Sequence, residues 1–151
     1  MNIMSVDDKE ILHAVKDALQ NDTTLAEYVK SFSVGDMNIS RKLFPYLAVG
    51  NLKCKISPRS LGARGYDSYE YMMEVRLGAR SLAPGVAFGG ENGILQLCED
   101  VVTAVRPNDF GVFTCPVEVV GVYPGYKTGS GNMEWIGRII IRGYRRVQRP
   151  K

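Results

Sequence analysis

Apolar residues recur at helical spacing near the start of the chain, at Ile11, Leu12, Val15, Ala18 and Leu19, and leave Asp7, Lys9, Lys16 and Asp17 to the opposite side. That pattern predicts an amphipathic helix that needs a surface to lie on. Ser5 is placed to cap it, Asp8 stands where a capping-box acid would, and Asp7, Asp8 and Glu10 put negative charge where the helix dipole favours it. Asn21-Asp22 breaks the pattern. Thr23 or Thr24 then caps a second, shorter helix with Leu25, Tyr28, Val29 and Phe32 on one face, ending near Gly35.

Beyond Gly35 the apolar pattern becomes that of strands. Residues 43–49 read as a short apolar strand with Pro45 near its start, Gly50-Asn51 as a turn, and 52–56 as the returning strand. A basic, glycine-bearing loop follows over 58–67. Tyr69, Tyr71, Met73, Val75, Leu77 and Ala79 then alternate with Glu70, Met72, Glu74, Arg76 and Gly78, the clearest strand in the chain. Five glycines and one proline across 78–93 predict a loop or ribbon tip. Ile94, Leu95, Leu97, Cys98, Val101, Val102 and Val105 mark a helix with a broad buried face, capped by Asn92 and stopped by Pro107-Asn108. Strand is predicted at 112–113 and 117–123, a turn-rich loop over 124–132, and a long final strand over 133–147. In that strand Ile139-Ile140-Ile141 suits a position covered on both faces.

The order predicts an α+β fold: a single domain over 1–151 with a mostly antiparallel or mixed sheet of four to five strands, N-terminal helices within 1–36, and one helix packed on a sheet face. The length of 151 residues and the 45% hydrophobic content fit one folded domain. No apolar run approaches the roughly 18 to 20 residues of a membrane span, and the acidic start is unlike a secretory signal, so neither membrane insertion nor signal-directed export is expected. Cys54, Cys98 and Cys115 are far apart and odd in number, which points away from a zinc knuckle or disulfide framework and toward a reducing compartment.

Charge changes the picture once it is split along the chain. Residues 1–36 hold seven acids and three bases, 37–66 six bases and no acid, 67–136 nine acids and four bases, and the basic terminal strand and tail, 137–151, six bases and no acid. Segregation of this kind suits nucleic-acid contact or head-to-tail association of identical subunits; equally, arginines at strand edges discourage aggregation. The tail, with Arg138, Arg142, Arg145, Arg146, Arg149 and Lys151 near Trp135 and Tyr144, meets the crude test for phosphate contact, although no helix is basic enough to read bases.

Chemistry is harder to find. His13 is the single histidine and lies on the polar side of the first helix, so no Ser-His-Asp or Cys-His set can form without it. Adjacent acids at Asp7-Asp8 and Glu99-Asp100 point in different directions on a helix. Gly125-Tyr126-Lys127-Thr128 lacks the glycine that precedes the lysine of a phosphate loop, and Gly129-Ser130-Gly131 lacks the third glycine of a dinucleotide fingerprint. No catalytic, metal-binding or cofactor-binding residue is predicted. Nothing visible activates Cys54 or Cys115, and Cys98 reads as core.

The order and lengths of these elements resemble the tail terminator, or tail completion, proteins of long-tailed bacteriophages. The resemblance rests on 11–32, on Phe44-Pro45-Tyr46-Leu47-Ala48-Val49, on 69–80 and 93–105, and on the closing pair 117–123 and 133–144. It implies a non-catalytic virion protein, made in the host cytoplasm, that forms a homo-oligomeric ring, typically of six subunits. Such a ring sits on the tail tube protein, stops its polymerisation and offers a surface to the neck or head-completion protein, while DNA passes without specific binding and no membrane is involved. A neck connector, or a small nucleic-acid-binding module using the basic C-terminus, is the alternative. Ring formation asks for unlike patches that fit each other. Arg80, Leu82, Val86 and Phe88 in one glycine-rich loop, and Tyr126 and Lys127 in the next, are the expected anchors on a neighbour. Residues 80–90 are expected to take their order from that neighbour, and Arg142, Arg145 and Arg146 to face acids of 67–136 on an adjoining subunit.

Overall fold

A computed structural model describes residues 8–35, 43–58, 65–81, 85–127 and 134–148. The first helix, α1 (Asp8–Gln20), buries Ile11, Val15 and Leu19 on the predicted stripe; its expected cap, Ser5, lies outside the described residues. The second helix, α2 (Thr23–Tyr28), is capped one residue earlier than expected, by Asp22, whose Oδ2 accepts from the Leu25 N–H at 3.0 Å. It is also shorter than expected. Val29 is already extended, and Ser31–Val34 forms a strand, β1, that runs parallel to the next. Alternation of Ser31, Phe32, Ser33 and Val34 is a period-two pattern, which here overrides the helical spacing that placed Phe32 on the helix.

The predicted pair of strands around Gly50-Asn51 is one strand, β2 (Tyr46–Pro58). Its register against the following strand, β3 (Tyr66–Arg80), slips between Gly50 and Lys53, so the Gly-Asn pair makes a bulge instead of a turn. Asn51 takes a positive φ of 53°, a conformation that asparagine tolerates better than most residues. A single helical turn, α3 (Val86–Gly89), precedes α4 (Ile94–Val105), which buries Ile94, Leu97, Cys98, Val101 and Val105. Gly93, not Asn92, occupies the N-cap; Asn92 contributes its backbone N–H, which donates to Gln96 Oε1 at 2.9 Å.

Residues 112–113 are not a strand. Asp109 O accepts from both Val112 N and Phe113 N in a tight turn that drives the Phe113 ring into the core against Tyr71. Gly143 makes the room, since a Cβ there would lie 2.7 Å from the Phe113 ring. The strand β4 (Glu118–Lys127) runs four residues into the expected loop, accommodating Val120 and Pro124-Gly125 as irregularities, and β5 (Glu134–Gln148) closes the fold.

The sheet has five strands in the order β1-β2-β3-β5-β4, with β1 parallel to β2 and every other pair antiparallel. This is the α+β architecture with a mixed sheet. One face carries Tyr69, Tyr71, Met73, Val75, Leu77 and Ala79 of β3 with Ile139 and Ile141 of β5, in one cluster with the buried stripes of α1, α2 and α4. Each of Met73, Val75, Ile139 and Ile141 is 0–1% exposed, worth about 1.5–3 kcal/mol apiece in transfer free energy. The other face carries no helix among the described residues. Ile140, expected to be covered as its neighbours are, points to that second face and is half-buried.

Candidate functional site

The helix-free face is where the chain places its unusual side chains. Period-two geometry puts Glu70, Met72, Glu74, Arg76, Gly78 and Arg80 of β3 on it, and antiparallel register sets β5 residues Arg146, Tyr144, Arg142, Ile140, Arg138, Ile136 and Glu134 beside them. Unlike charges become neighbours. Glu74, only 5% exposed, accepts from Arg76 Nε at 3.0 Å and lies 3.8 Å from Arg138 Nη1. Burial of that acid is tolerable because two guanidiniums answer it. Arg142 donates to Glu118 Oε2 through Nε at 3.1 Å and Nη2 at 2.6 Å, and Glu70 lies 4.0 Å away. The bond to Glu118 raises the Arg142 guanidinium further above its ordinary value. Tyr144 is held above the usual phenol range, chiefly by burial and then by donating to Glu70.

Arginines here also lie on aromatic rings. Arg138 sits 4.8 Å from the centre of Tyr123, Arg142 5.7 Å from Tyr144, Arg146 4.3 Å from Tyr66, and Arg80 4.3 Å from Phe44. Arg80 pairs in addition with Glu134 across β3 and β5. Between these rows a groove of about 680 Å3 runs over the β2 bulge, lined by Leu52, Lys53, Met72, Glu74, Arg138 and Ile140. Its one acid is already held by arginines, and no nucleophile stands beside a base in it. Among the described residues, no group of three or more His, Cys, Asp or Glu side chains is placed to hold a metal ion. No helix among them is long and apolar enough to cross a membrane.

The residues singled out from the sequence divide between the two ends of the sheet. Arg80, Val86 and Phe88 lie at one end, where the backbones of Tyr126 and Lys127 pair with Ile136 and Trp135. Arg142, Arg145 and Arg146 lie toward the other. Leu82 falls outside the described residues. Phe88 is half-buried by its own chain: its ring packs 4.5 Å from Trp135, and Ala87 beside it is 1% exposed. The 85–90 segment packs on its own chain, and residues 82–84 of the stretch expected to be ordered by a neighbouring ring lie outside the described residues. Arg145 is not part of the arginine face either. It pairs with Tyr69 in register, on the helix side, and hydrogen-bonds Tyr71. Within the chain, Arg142 pairs with Glu118 and lies 4.0 Å from Glu70, two of the acids of 67–136.

Two thiols remain exposed, Cys54 and Cys115, and Cys98 is buried. Burial is the main influence on Cys54 and raises its pKa, outweighing the nearby Arg145, so this thiol is not activated. Because the Arg142–Glu118 pair is exposed, Glu118→Gln should cost less than about 1 kcal/mol in urea unfolding, with the difference shrinking as salt is added. A larger, salt-independent loss would mean that the pair holds β4 in place.

No protein-family model matches the sequence, and no curated protein matches it.

Proposed function

We propose that this chain is a non-catalytic structural protein of a long-tailed bacteriophage, which forms a homo-oligomeric ring at the end of the tail tube and joins it to the neck. The observation that carries this reading is the placement of the two long hairpins. β2 and β3 approach their connection where Pro58 pairs with Asp67, and β4 and β5 approach theirs where Lys127 pairs with Trp135. Twelve steps along β3 separate those levels, about 40 Å at the rise of an extended strand. A subunit built this way has separate contacts for a ring below and a ring above. Its faces agree with such a role: one is used by the core, and the other offers a grid of paired charge whose groove holds no nucleophile beside a base.

Nucleic-acid binding is the weaker reading for a physical reason. Arg76, Arg80, Arg138 and Arg142 each lie within salt-bridge distance of a glutamate, and a guanidinium so engaged has less to gain from a phosphate. Light scattering on the purified chain should give a particle of roughly 100 kDa for six copies of 16.7 kDa. Electron microscopy with isolated tail tubes should then find rings at tube ends and tubes that no longer lengthen. Rings bound to heads but never to tubes would move the assignment to a neck connector. A monomer that binds DNA in a salt-dependent way would defeat both.

A further inference from the structure

A sheet ordered β1-β2-β3-β5-β4 has two lateral edges, and here they are unlike. β1 pairs only with Tyr46, Leu47, Ala48 and Val49, so among the described residues nothing pairs with the outer side of β2 from Lys53 onward. The whole length of β4 forms the opposite edge. The exposed large apolar side chains of the described residues gather toward these two borders: Ile56 on β2 and Leu43 just before it, Val120, Val122 and Tyr123 on β4, and Leu95 on the adjoining α4. Apolar groups concentrated at borders and rimmed by charge mark contact surfaces.

Register makes the two borders complementary. Lys53 pairs with Met72, Met72 with Arg142, and Arg142 with Glu118, so one row crossing four strands ends in a lysine on one edge and a glutamate on the other. Glu118 already accepts from Arg142, yet its side chain is 53% exposed and open to a second cation. Joining an edge to its own kind would crowd Lys53 and Lys55 of both copies together. Joining unlike edges sets lysine against glutamate, and a contact between unlike surfaces is the kind that closes into a ring. We propose that copies of this chain associate head to tail, the β1–β2 edge of one against the β4 edge of the next, with Lys53 facing Glu118. The proposal rests on the ring assembly put forward above and names the surfaces that build it. Contact is through side chains and not by a continued hydrogen-bond ladder, because the irregularity at Val120 and the proline at position 124 interrupt the outer side of β4, and lysines flank that of β2.

The two exposed thiols provide the test, since they lie on opposite edges at neighbouring levels. Cys54 pairs with Tyr71, which pairs with Gly143, and Cys115 follows Thr114, whose N–H donates to Tyr144 O. A short bis-maleimide applied to the full chain should give a ladder of dimers, trimers and larger species on a denaturing gel. Cys54→Ser and Cys115→Ser variants should each stay single when treated alone and should give dimers when mixed. Lys53→Glu should weaken self-association about ten-fold while keeping the parent's thermal midpoint, and adding Glu118→Lys should restore association even though it gives up the Arg142 pair. Cross-linking of either cysteine-to-serine variant with itself, each keeping one exposed thiol along with the buried Cys98, would show a contact between like edges and overturn the proposal. Rings seen by light scattering without any cross-link would also overturn it and leave ring assembly standing. A chain that stays monomeric at every concentration would end both.

Discussion

Gly78→Val should destabilise the protein by about 3 kcal/mol, lowering the melting midpoint by roughly 6–12 °C for a chain of this size. Gly78 stands directly opposite Tyr46 in the β2–β3 register, and the Tyr46 ring lies across it. A Cβ at position 78 would fall 2.1 Å from Tyr46 Cε1, a separation that forces one of the two to move. Tyr46 has nowhere to go, being 0% exposed and packed with Ala48, Ile136 and Phe44 in a small second core on the helix-free face. Gly89→Ala is the matched control. A Cβ there meets nothing within 4 Å, and its cost should stay within about 0.5 kcal/mol of zero. Equal effects at the two sites in thermal or urea unfolding would mean that Tyr46 does not hold the position assigned to it.

Stability should also fall steeply in alkali. Burial pushes the Cys98 thiol up to about 11 from an ordinary value of 9. Burial likewise raises Tyr28, helped by the bond its hydroxyl donates to Asp100 Oδ2 at 2.6 Å, which ties α2 to α4. In the unfolded chain both groups release their protons at lower pH than in the folded one. From pH 9 upward the unfolded state therefore binds fewer protons, and stability that is fully present below pH 9 declines as pH rises. For Cys98 the two-unit difference corresponds to about 2 kcal/mol lost by pH 11, and Tyr28 adds to the decline above pH 10. Tyr69, Tyr71 and Tyr144 shift in the same direction. Urea unfolding at intervals from pH 8 to 11 should show the slope, and Cys98→Ala and Tyr28→Phe should each flatten part of it. A stability that is level across that range would contradict the burial of both groups.

Much of the fold was legible because burial imposes a period. The stripe of α1, the alternation along β3 and the broad apolar face of α4 fall where the pattern puts them, since each faces a single core. What the pattern could not reveal depends on partners distant in sequence. Gly50-Asn51 has the composition of a turn, but β3 pairs along both sides of it and turns it into a bulge. Phe32 fits a helical face equally well as a strand, and pairing with Leu47 decides between them. The arginine face was half visible. Glu70, Glu74 and Arg76, like Arg138 and Arg142, sit at even positions of their strands, yet only the register of β3 on β5 sets glutamate beside arginine. Arg145 was grouped with its neighbours on charge alone, when alternation by itself assigns it to the opposite face from Arg142 and Arg146.

The last strand of the chain is not the last strand of the sheet. β5 lies between β3 and β4, with Tyr66 paired to Gln148 across most of the sequence, and β3 and β4 are not neighbours in the sheet. Until β5 has been made, β3 and β4 have no strand between them, and α4, which touches both, is all that spans the gap among the described elements. Completion of the sheet thus waits for β5, and the many long-range pairings of β5 make the closing step slow relative to local helix formation. Without β5 the sheet falls into two pieces, β1–β2–β3 on one side and β4 alone on the other, so one strand decides whether the subunit has one sheet or none that spans it.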